Sequence, residues 1–215
     1  MVTIVGVGPG HPDYLTPVAK KHIDDAEVLI GSQRLIDIFV KDGQTAHYIT
    51  GDIISTLKAI DENKDKKTVI VVGGDPGFYS ILGMIRKELP DLSVKVIPGI
   101  SSAQILFGLI GQEWQSVTFV SVHGRSLDEL DYALKRQVKK ICVLTDKKTT
   151  ASVVAKYLKE YGVSGRAVVG CNLSYDNQTL IDTTIDEISM MNDLESCILY
   201  VEITTANEEQ TKDRG

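Results

Sequence analysis

Short apolar runs alternate with longer amphipathic segments along the chain, and this alternation predicts strands that alternate with helices. The clearest run is residues 69–72, four β-branched side chains that lead directly into a Gly-Gly-Asp-Pro-Gly turn at 73–77. Such a continuous run predicts a strand buried on both faces in the centre of a parallel sheet. Open α/β sheets bind ligands beyond the carboxyl ends of their strands, so the turn is a candidate binding site.

The other apolar runs predict strands at residues 2–7, 27–30, 94–97, 117–122, 141–144, 167–169, 180–182 and 197–201, the last closing the sheet. Helices are predicted between them at residues 17–26, 53–62, 80–88 and 150–161. A further helix is predicted to end at residue 39, and three more to begin near residues 102, 126 and 185. Thr16 is a predicted N-cap, and Ser126 and Thr184 each predict a capping box with the glutamate three residues later. The apolar side chains predicted to face inward from two of these helices are Leu127, Leu130, Leu134, Val153, Val154 and Leu158.

This order of elements predicts an α/β fold of two α/β domains with mainly parallel or mixed sheets. Residues 111–115 break the pattern, so the predicted domains are residues 1–111 and 116–203, followed by a polar tail at 204–215. Two domains imply a cleft between them, which is a favoured place for a ligand.

The composition narrows the possible partners. The chain has 215 residues, 43% of them hydrophobic, and a formal net charge of −6, which fits an ordinary soluble protein and disfavours a nucleic-acid partner. No apolar run is long enough to cross a membrane and no signal peptide is indicated, so we expect a cytoplasmic protein. Cys142, Cys171 and Cys197 stand in apolar surroundings, and we expect buried small side chains rather than a disulfide or a metal set.

Glycine-bearing turns follow three predicted strands, at Gly6, Gly73 and Gly99, and a His-Gly-Arg turn follows a fourth at residues 123–125. Gly6-x-Gly8 is a poor dinucleotide fingerprint because a histidine occupies the third glycine position. The sequence also lacks a phosphate-binding Gly-Lys-Ser/Thr, a Gly-x-Ser-x-Gly elbow and a helical pair of histidines that would predict a metal site. What remains is a pocket rich in backbone N–H and C=O groups, which suits a nucleoside-like ligand.

Three of these motifs together resemble one family. The motifs are VGVGPG at residues 5–10, GGDPGFYS at 73–80 and PGISSAQ at 98–104, and they resemble the tetrapyrrole methylases in order and spacing. The resemblance implies two α/β domains with an active-site trough between them, S-adenosylmethionine as cofactor, a tetrapyrrole substrate and a homodimer. GSQRL at residues 31–35 and HGR at 123–125 look like the branch that methylates cobalt-precorrins at the C-5 meso carbon in cobalamin biosynthesis.

The resemblance also implies roles for individual residues. The implied cofactor-binding residues are Gly73, Gly74, Asp75, Phe78, Ser101, Ser102, Thr145 and Leu173. The candidate substrate-binding residues are Gly8, Pro9 and Gly10, which we expect to shape the floor of the trough, together with Arg34 and Arg125. In this interpretation the Asp75 carboxylate could stabilise the sulfonium charge of the cofactor, or could instead cap the helix that follows it.

The substrate would carry many carboxylates, so cations must line its site despite the net charge of −6. Arg34 and Arg125 are candidates because a guanidinium binds a carboxylate bidentately, and surface ion pairs are the alternative for both. His123 and Arg125 are the candidate catalytic residues, although His123 could equally be bonded to backbone at the entry of a helix. The other functions that remain open are methylation at another ring position, the activity of a diphthamide or ribosomal-RNA relative, and a non-catalytic tetrapyrrole- or nucleotide-binding module.

Overall fold

The apolar run at residues 69–72 lies in the central strand of a five-stranded sheet. The computed structural model describes residues 1–192, 194–195 and 197–204. The strands of this first sheet are β1 (Val2–Gly6), β2 (Val28–Gly31), β3 (Thr45–Tyr48), β4 (Thr68–Val72) and β5 (Val94–Ile97). They pair in the order β3-β2-β4-β1-β5, and all of these pairings are parallel.

Helices cover both faces of the first sheet. They are α1 (Pro17–Asp24), α2 (Gln33–Phe39), α3 (Ile53–Glu62) and α4 (Ile81–Glu88), with a 3-10 turn at Pro12–Tyr14. Val69 and Val71 pack in one core with α1 and α2, whereas Ile70 and Val72 pack in another with α3 and α4. Each buried aliphatic side chain contributes roughly 1.5–3 kcal/mol, so a strand with four of them is best placed at the centre.

The second sheet is mixed. Its strands are β6 (Thr118–Ser121), β7 (Lys140–Leu144), β8 (Ser164–Cys171), β9 (Thr179–Thr184) and β10 (Cys197–Thr204), and its helices are α6 (Asp128–Lys135), α7 (Ala151–Glu160) and α8 (Ile185–Met190). The order is β6-β7-β10-β8-β9, with β6 and β7 parallel and the other pairings antiparallel. The predicted α/β class with parallel and mixed sheets is therefore confirmed.

The chain passes from a first compact unit into a second between Gln104 and Ile105, inside α5 (Ser102–Ile110). In the second unit, the Phe107 ring packs edge-to-face on the rings of Phe119 and Tyr200, so the end of α5 contacts the second sheet. The domain limits placed at residues 111–116 stay a prediction. Thr204 belongs to β10, and the rest of the predicted tail lies outside the described residues. No helix within the described ranges is long and apolar enough to cross a membrane.

Two of the three predicted helix caps are present. The hydroxyl oxygens of Thr16 and Thr184 accept hydrogen bonds from the backbone N–H of the third residue after each of them. The capping box at Ser126 is wrong, because α6 begins two residues later, after Leu127, without a side-chain cap. Its Glu129 carboxylate instead accepts a hydrogen bond from the backbone N–H of Ser121.

Three further expectations differ from the structure. The pattern did not predict β3, because its residues Thr45–Tyr48 are at least partly exposed and show no apolar run. Val153 faces outward with 39% of its surface exposed, whereas Val154 and Leu158 are buried as predicted. Strand β10 lies in the middle of the second sheet rather than closing it, because it pairs with both β7 and β8.

The expectation of three unlinked cysteines is wrong for two of them. Cys171 at the end of β8 and Cys197 at the start of β10 are direct partners in the antiparallel ladder and form a disulfide. Their 26-residue separation in the sequence hides this contact, which only the pairing of β8 with β10 creates. Cys142 is a free, fully buried thiol, and burial raises its pKa well above the usual range.

A row of ion pairs crosses four strands of the second sheet. The Arg166 guanidinium donates two hydrogen bonds of 2.8 Å to the Asp182 carboxylate and a third of 3.3 Å to Glu202, which also pairs with Lys140 at 3.1 Å. The bonds from Arg166 hold the pKa of Asp182 below its usual range. Burial alone would raise the pKa of Glu202, but the bonds from Lys140 and Arg166 lower it.

We expect Arg166→Gln to lower the free energy of unfolding at pH 7 by about 1 kcal/mol, since these partly exposed pairs are screened by water. Both carboxyl pKa values are depressed in the folded state, so the stabilisation is complete above the unfolded-state values, near pH 4, and disappears as the pH falls further. Urea unfolding of both proteins at several pH values measures this difference. The exposed Lys156→Gln provides the control for loss of one positive charge, and a difference that persisted at pH 2 would contradict the assignment.

Candidate functional site

Three loops meet at the carboxyl edge of the first sheet, because β4, β1 and β5 are neighbours in it. Their backbones touch at Gly6, Gly74 and Gly99, a contact named here the glycine interlock. A Cβ atom on Gly6 would lie 2.5 Å from the Gly74 carbonyl oxygen, and a Cβ atom on Gly99 would lie 2.2 Å from it. No side chain fits at these separations, so the three loops form one rigid layer of backbone.

The first of these loops is also bonded to the second. The Gly74 N–H donates a hydrogen bond of 2.8 Å to the Gly8 carbonyl, and the two residues form an isolated antiparallel bridge. Both glycines have positive φ values, 81° for Gly8 and 67° for Gly74. Pro9 and Gly10, the other predicted floor residues, follow at once in the chain and are partly exposed.

The Asp75 carboxylate fastens the second loop to the third. Its Oδ1 accepts a hydrogen bond of 2.8 Å from the Gly77 N–H, and its Oδ2 accepts one of 3.1 Å from the Gly99 N–H. Both oxygens therefore bind backbone donors. The carboxylate holds two loops in place, and neither bond caps the first turn of α4.

Gly73 is the open side of this layer. A Cβ atom added there would meet only the guanidinium of Arg34, at 3.9 Å, so a ligand could approach the backbone closely. Arg34 lies at the start of α2 and is exposed. The partly exposed Phe78 ring is in edge-to-face contact with Tyr79 at a centroid distance of 5.2 Å. The structure thus brings Arg34 beside the predicted cofactor loop.

Ser101 and Gln104 open α5 with a capping box. The Ser101 N–H donates to the Gln104 side-chain oxygen at 2.8 Å, and the Gln104 N–H donates to the Ser101 hydroxyl oxygen at 3.2 Å. Ser101 is 7% exposed, so its side chain serves the loop, whereas Ser102 is partly exposed. Sequence reasoning missed this role of Gln104, although the S-x-x-Q pattern signals it.

In the second unit, His123 and Thr145 lie together at the carboxyl ends of the parallel strands β6 and β7. His123 Nδ1 lies 3.1 Å from the Thr145 carbonyl oxygen, which matches the backbone-bonded alternative for this histidine. With Nδ1 donating to that carbonyl, Nε2 is the nitrogen with a lone pair. The buried Thr145 hydroxyl donates a hydrogen bond of 2.5 Å to the Cys197 carbonyl.

The loop that carries Arg125 is held by Asp146. Its carboxylate accepts hydrogen bonds from the backbone N–H groups of Gly124, Thr149 and Lys148, the first at 2.7 Å. These bonds, the one from Gly124 foremost, lower the pKa of Asp146. The Arg125 guanidinium lies 3.2 Å from Glu129, as the ion-pair alternative predicts. Asp146 was not among the predicted site residues, although a carboxylate two residues after the predicted strand 141–144 is a signal for a role at the end of that strand.

Leu173 follows the end of β8 in a tight turn. Asn172 and Ser174 on either side of it have positive φ values of 49° and 77°. Leu173 is 5% exposed, and its methyl groups fill the space where Gly170 has no side chain. The predicted contacts of Thr145 and Leu173 with a cofactor stay predictions, as do the ligand roles of the other candidate residues.

Within the part of the chain that the structure describes, no group of three or more His, Cys, Asp or Glu side chains could hold a metal ion.

Comparisons with known proteins agree with these features. The family model of the Tetrapyrrole (Corrin/Porphyrin) Methylases matches residues 1–189. The chain is 32% identical over 181 residues to a cobalt-precorrin-7 C(5)-methyltransferase of Salmonella typhimurium, covering 84% of this chain and 89% of that protein.

Solved structures share the fold. The cobalamin biosynthesis precorrin-6Y methylase CbiE from Archaeoglobus fulgidus superposes with a TM-score of 0.73 and 23% identity, covering 95% of this chain and 99% of that one. Uroporphyrin-III C-methyl transferase from Thermus thermophilus was solved with S-adenosyl homocysteine. It superposes with a TM-score of 0.73 and 18% identity, covering 94% of this chain and 96% of that one. Because the family model spans most of its length, this chain belongs to the tetrapyrrole methylases, as the three glycine-bearing motifs indicated.

Proposed function

We propose that this chain transfers a methyl group from S-adenosylmethionine to the C-5 carbon of cobalt-precorrin-7 in cobalamin biosynthesis. The observation that carries the proposal is its 32% identity over 84% of the chain to the Salmonella enzyme with that activity in its name. The similarity extends over 89% of that enzyme, so it includes both units of the chain.

The first unit offers a backbone cradle that fits the cofactor. Gly73 leaves the backbone open beside the rigid glycine interlock, and Phe78 supplies an apolar ring on the same loop. We infer that Gly73, Gly74 and Phe78 contact the cofactor, that Asp75 and Ser101 hold the loops, and that Ser102 lies at their rim. The sulfonium of S-adenosylmethionine supplies an activated methyl group, so the protein's task is to orient the acceptor carbon and exclude water.

The acceptor carbon forms a bond to the methyl group as the carbon–sulfur bond breaks, and a proton then leaves that carbon. His123 is the candidate to receive this proton or to bond the substrate, because Nε2 is the nitrogen not directed at the Thr145 carbonyl. Arg34 and Arg125 would bind substrate carboxylates, and Gly8, Pro9 and Gly10 would contact the macrocycle. Thr145 and Leu173 complete the proposed cofactor contacts.

The resemblance further suggests a homodimer that works in the cytoplasm. Static light scattering of the purified chain measures its oligomeric state, and a monomer at micromolar concentration would exclude the homodimer.

Methyl transfer is tested directly with purified protein, S-adenosylmethionine and cobalt-precorrin-7. We expect the substrate to gain one methyl group by mass spectrometry, with the new carbon at C-5 by nuclear magnetic resonance. A methyl group at another carbon would correct the ring position. Binding of S-adenosylhomocysteine and substrate without product under any redox condition would favour a non-catalytic module, and no binding of S-adenosylhomocysteine would exclude a methylase.

We expect Asp75→Asn to weaken S-adenosylhomocysteine binding about tenfold, or roughly 1.4 kcal/mol. An amide offers one acceptor oxygen, so either the Gly77 or the Gly99 N–H loses its partner, which loosens the loop after β4 or its link to the loop after β5. Titration calorimetry measures the dissociation constant. Asp91→Asn, an exposed aspartate in the loop before β5, is the matched control and should bind normally. Equal affinity of the two variants would contradict the role of Asp75.

We expect Arg34→Lys to raise the KM for the tetrapyrrole about tenfold with a smaller change in kcat. A lysine keeps the positive charge but loses bidentate carboxylate binding. The dissociation constant of S-adenosylhomocysteine should change less than threefold, which separates substrate binding from a disturbed cofactor loop. Arg125→Lys tests the second arginine by the same measurements. An unchanged KM in both variants would remove the arginines as carboxylate partners.

A further inference from the structure

Cys171 and Cys197 form a pair that lies outside the proposed chemistry. They stand opposite each other where β8 ends and β10 begins, with their Cα atoms 4.1 Å apart. Seven further residue pairs continue the same ladder from Ile198 to Thr204, so the two strands are joined with or without the disulfide. The register alone therefore keeps both sulfur atoms within reach of each other.

The structure offers a hydrogen-bond acceptor to one thiol of the reduced pair. The Cys197 sulfur lies 3.0 Å from the Glu195 carbonyl oxygen, so a thiol at this position has a hydrogen-bond acceptor in place. Each of the two cysteines keeps 6% of its surface exposed, whereas Cys142 keeps none. The pair is therefore closer to solvent than the third thiol.

Both cysteines adjoin residues of the proposed cofactor site. The Cys197 carbonyl accepts the hydrogen bond from the Thr145 hydroxyl. The residue opposite Cys197 in the ladder with β8 is Cys171. The turn with Leu173 starts immediately after Cys171, in a backbone conformation with two positive φ values. A disulfide therefore links the residue before this turn, Cys171, covalently to Cys197, whose carbonyl binds the Thr145 hydroxyl.

We propose that Cys171 and Cys197 are a reversible thiol–disulfide modification site whose oxidised form preorganises Thr145 and Leu173 for the cofactor. In the oxidation, the two thiols lose two protons and two electrons, and a low-molecular-weight disulfide such as glutathione disulfide takes them up as two thiols. The effect on the cofactor rests on the proposed function, whereas the modification itself does not. Preorganised contacts bind more tightly because less conformational freedom is lost on binding.

The modification is tested by counting thiols. The full chain is equilibrated in glutathione buffers of increasing reducing power, quenched with acid, and alkylated in denaturant. We expect mass spectrometry to find one alkylated cysteine under oxidising conditions and three under reducing ones, with the change reversing when the buffer is exchanged. A count that stayed at one or at three across all buffers would overturn the reversible site.

The effect on the site is measured on native protein held in the most oxidising and in the most reducing of these buffers, without quenching. Hydrogen exchange of residues 172–178 should be slower in the oxidised protein, and the dissociation constant of S-adenosylhomocysteine should be about three- to tenfold lower. Cys142→Ala should keep both differences, and the folded double variant Cys171→Ser/Cys197→Ser should behave as the reduced protein in every buffer. Equal affinity and equal exchange in the two states would overturn the coupling.

Failure of the proposed function has a different signature. If S-adenosylhomocysteine bound neither sample, the proposed cofactor and its coupling to the pair would be lost, while the thiol count and the exchange rates would still decide whether the modification exists.

Discussion

The candidate cofactor site depends on the contact of three backbones at Gly6, Gly74 and Gly99. Strand β1 lies between β4 and β5, so its loop must pass between the loops that leave its two neighbours. The space left for it is too small for any Cβ atom, with 2.2 Å between the Gly74 carbonyl and a Cβ atom on Gly99. The strand order therefore demands glycine at these positions before any ligand is considered, and the resulting layer presents backbone groups rather than side chains.

Asp75 has a different part in this layer from the one that its charge first suggests. A carboxylate near a bound sulfonium is an attractive electrostatic arrangement, but both oxygens of Asp75 already accept backbone hydrogen bonds. The bond from the Gly99 N–H joins the loop after β4 to the loop after β5, and the bond from the Gly77 N–H fixes the loop after β4 itself, so together they stabilise the glycine interlock. Any electrostatic effect of this carboxylate on a cofactor would therefore act through a group whose first role is to fix loop geometry.

The parts of the fold that the sequence predicted are those that local patterns determine. Residues 69–72 are apolar and β-branched at every position and lead into a glycine-rich turn, which is typical of a strand buried on both faces. Thr16 is followed by proline, which is preorganised for the first turn of α1. Strand β3 has neither signal, because an edge strand with exposed side chains owes its conformation to pairing with β2. Ser126 matches the capping-box pattern, but hydrogen bonds hold residues 122–125 in a turn, and α6 begins only after Leu127.

In the second unit, the disulfide and the hydrogen bond from Thr145 follow from one long-range register that the sequence could not predict. Strand β10 enters between β7 and β8, and this places Cys197 opposite Cys171 and its carbonyl within reach of Thr145, 52 residues earlier in the chain. A shift of the ladder by one residue would put the two cysteines on opposite faces of the sheet. Neither the spacing nor the surroundings of the cysteines encode that alignment. Leu199 and Val201 lie on the same face of β10 as Cys197 and pack in the core of the second unit, so a one-residue shift would also remove them from that core. The chemistry available at the end of the second sheet is thus set by the packing of its centre.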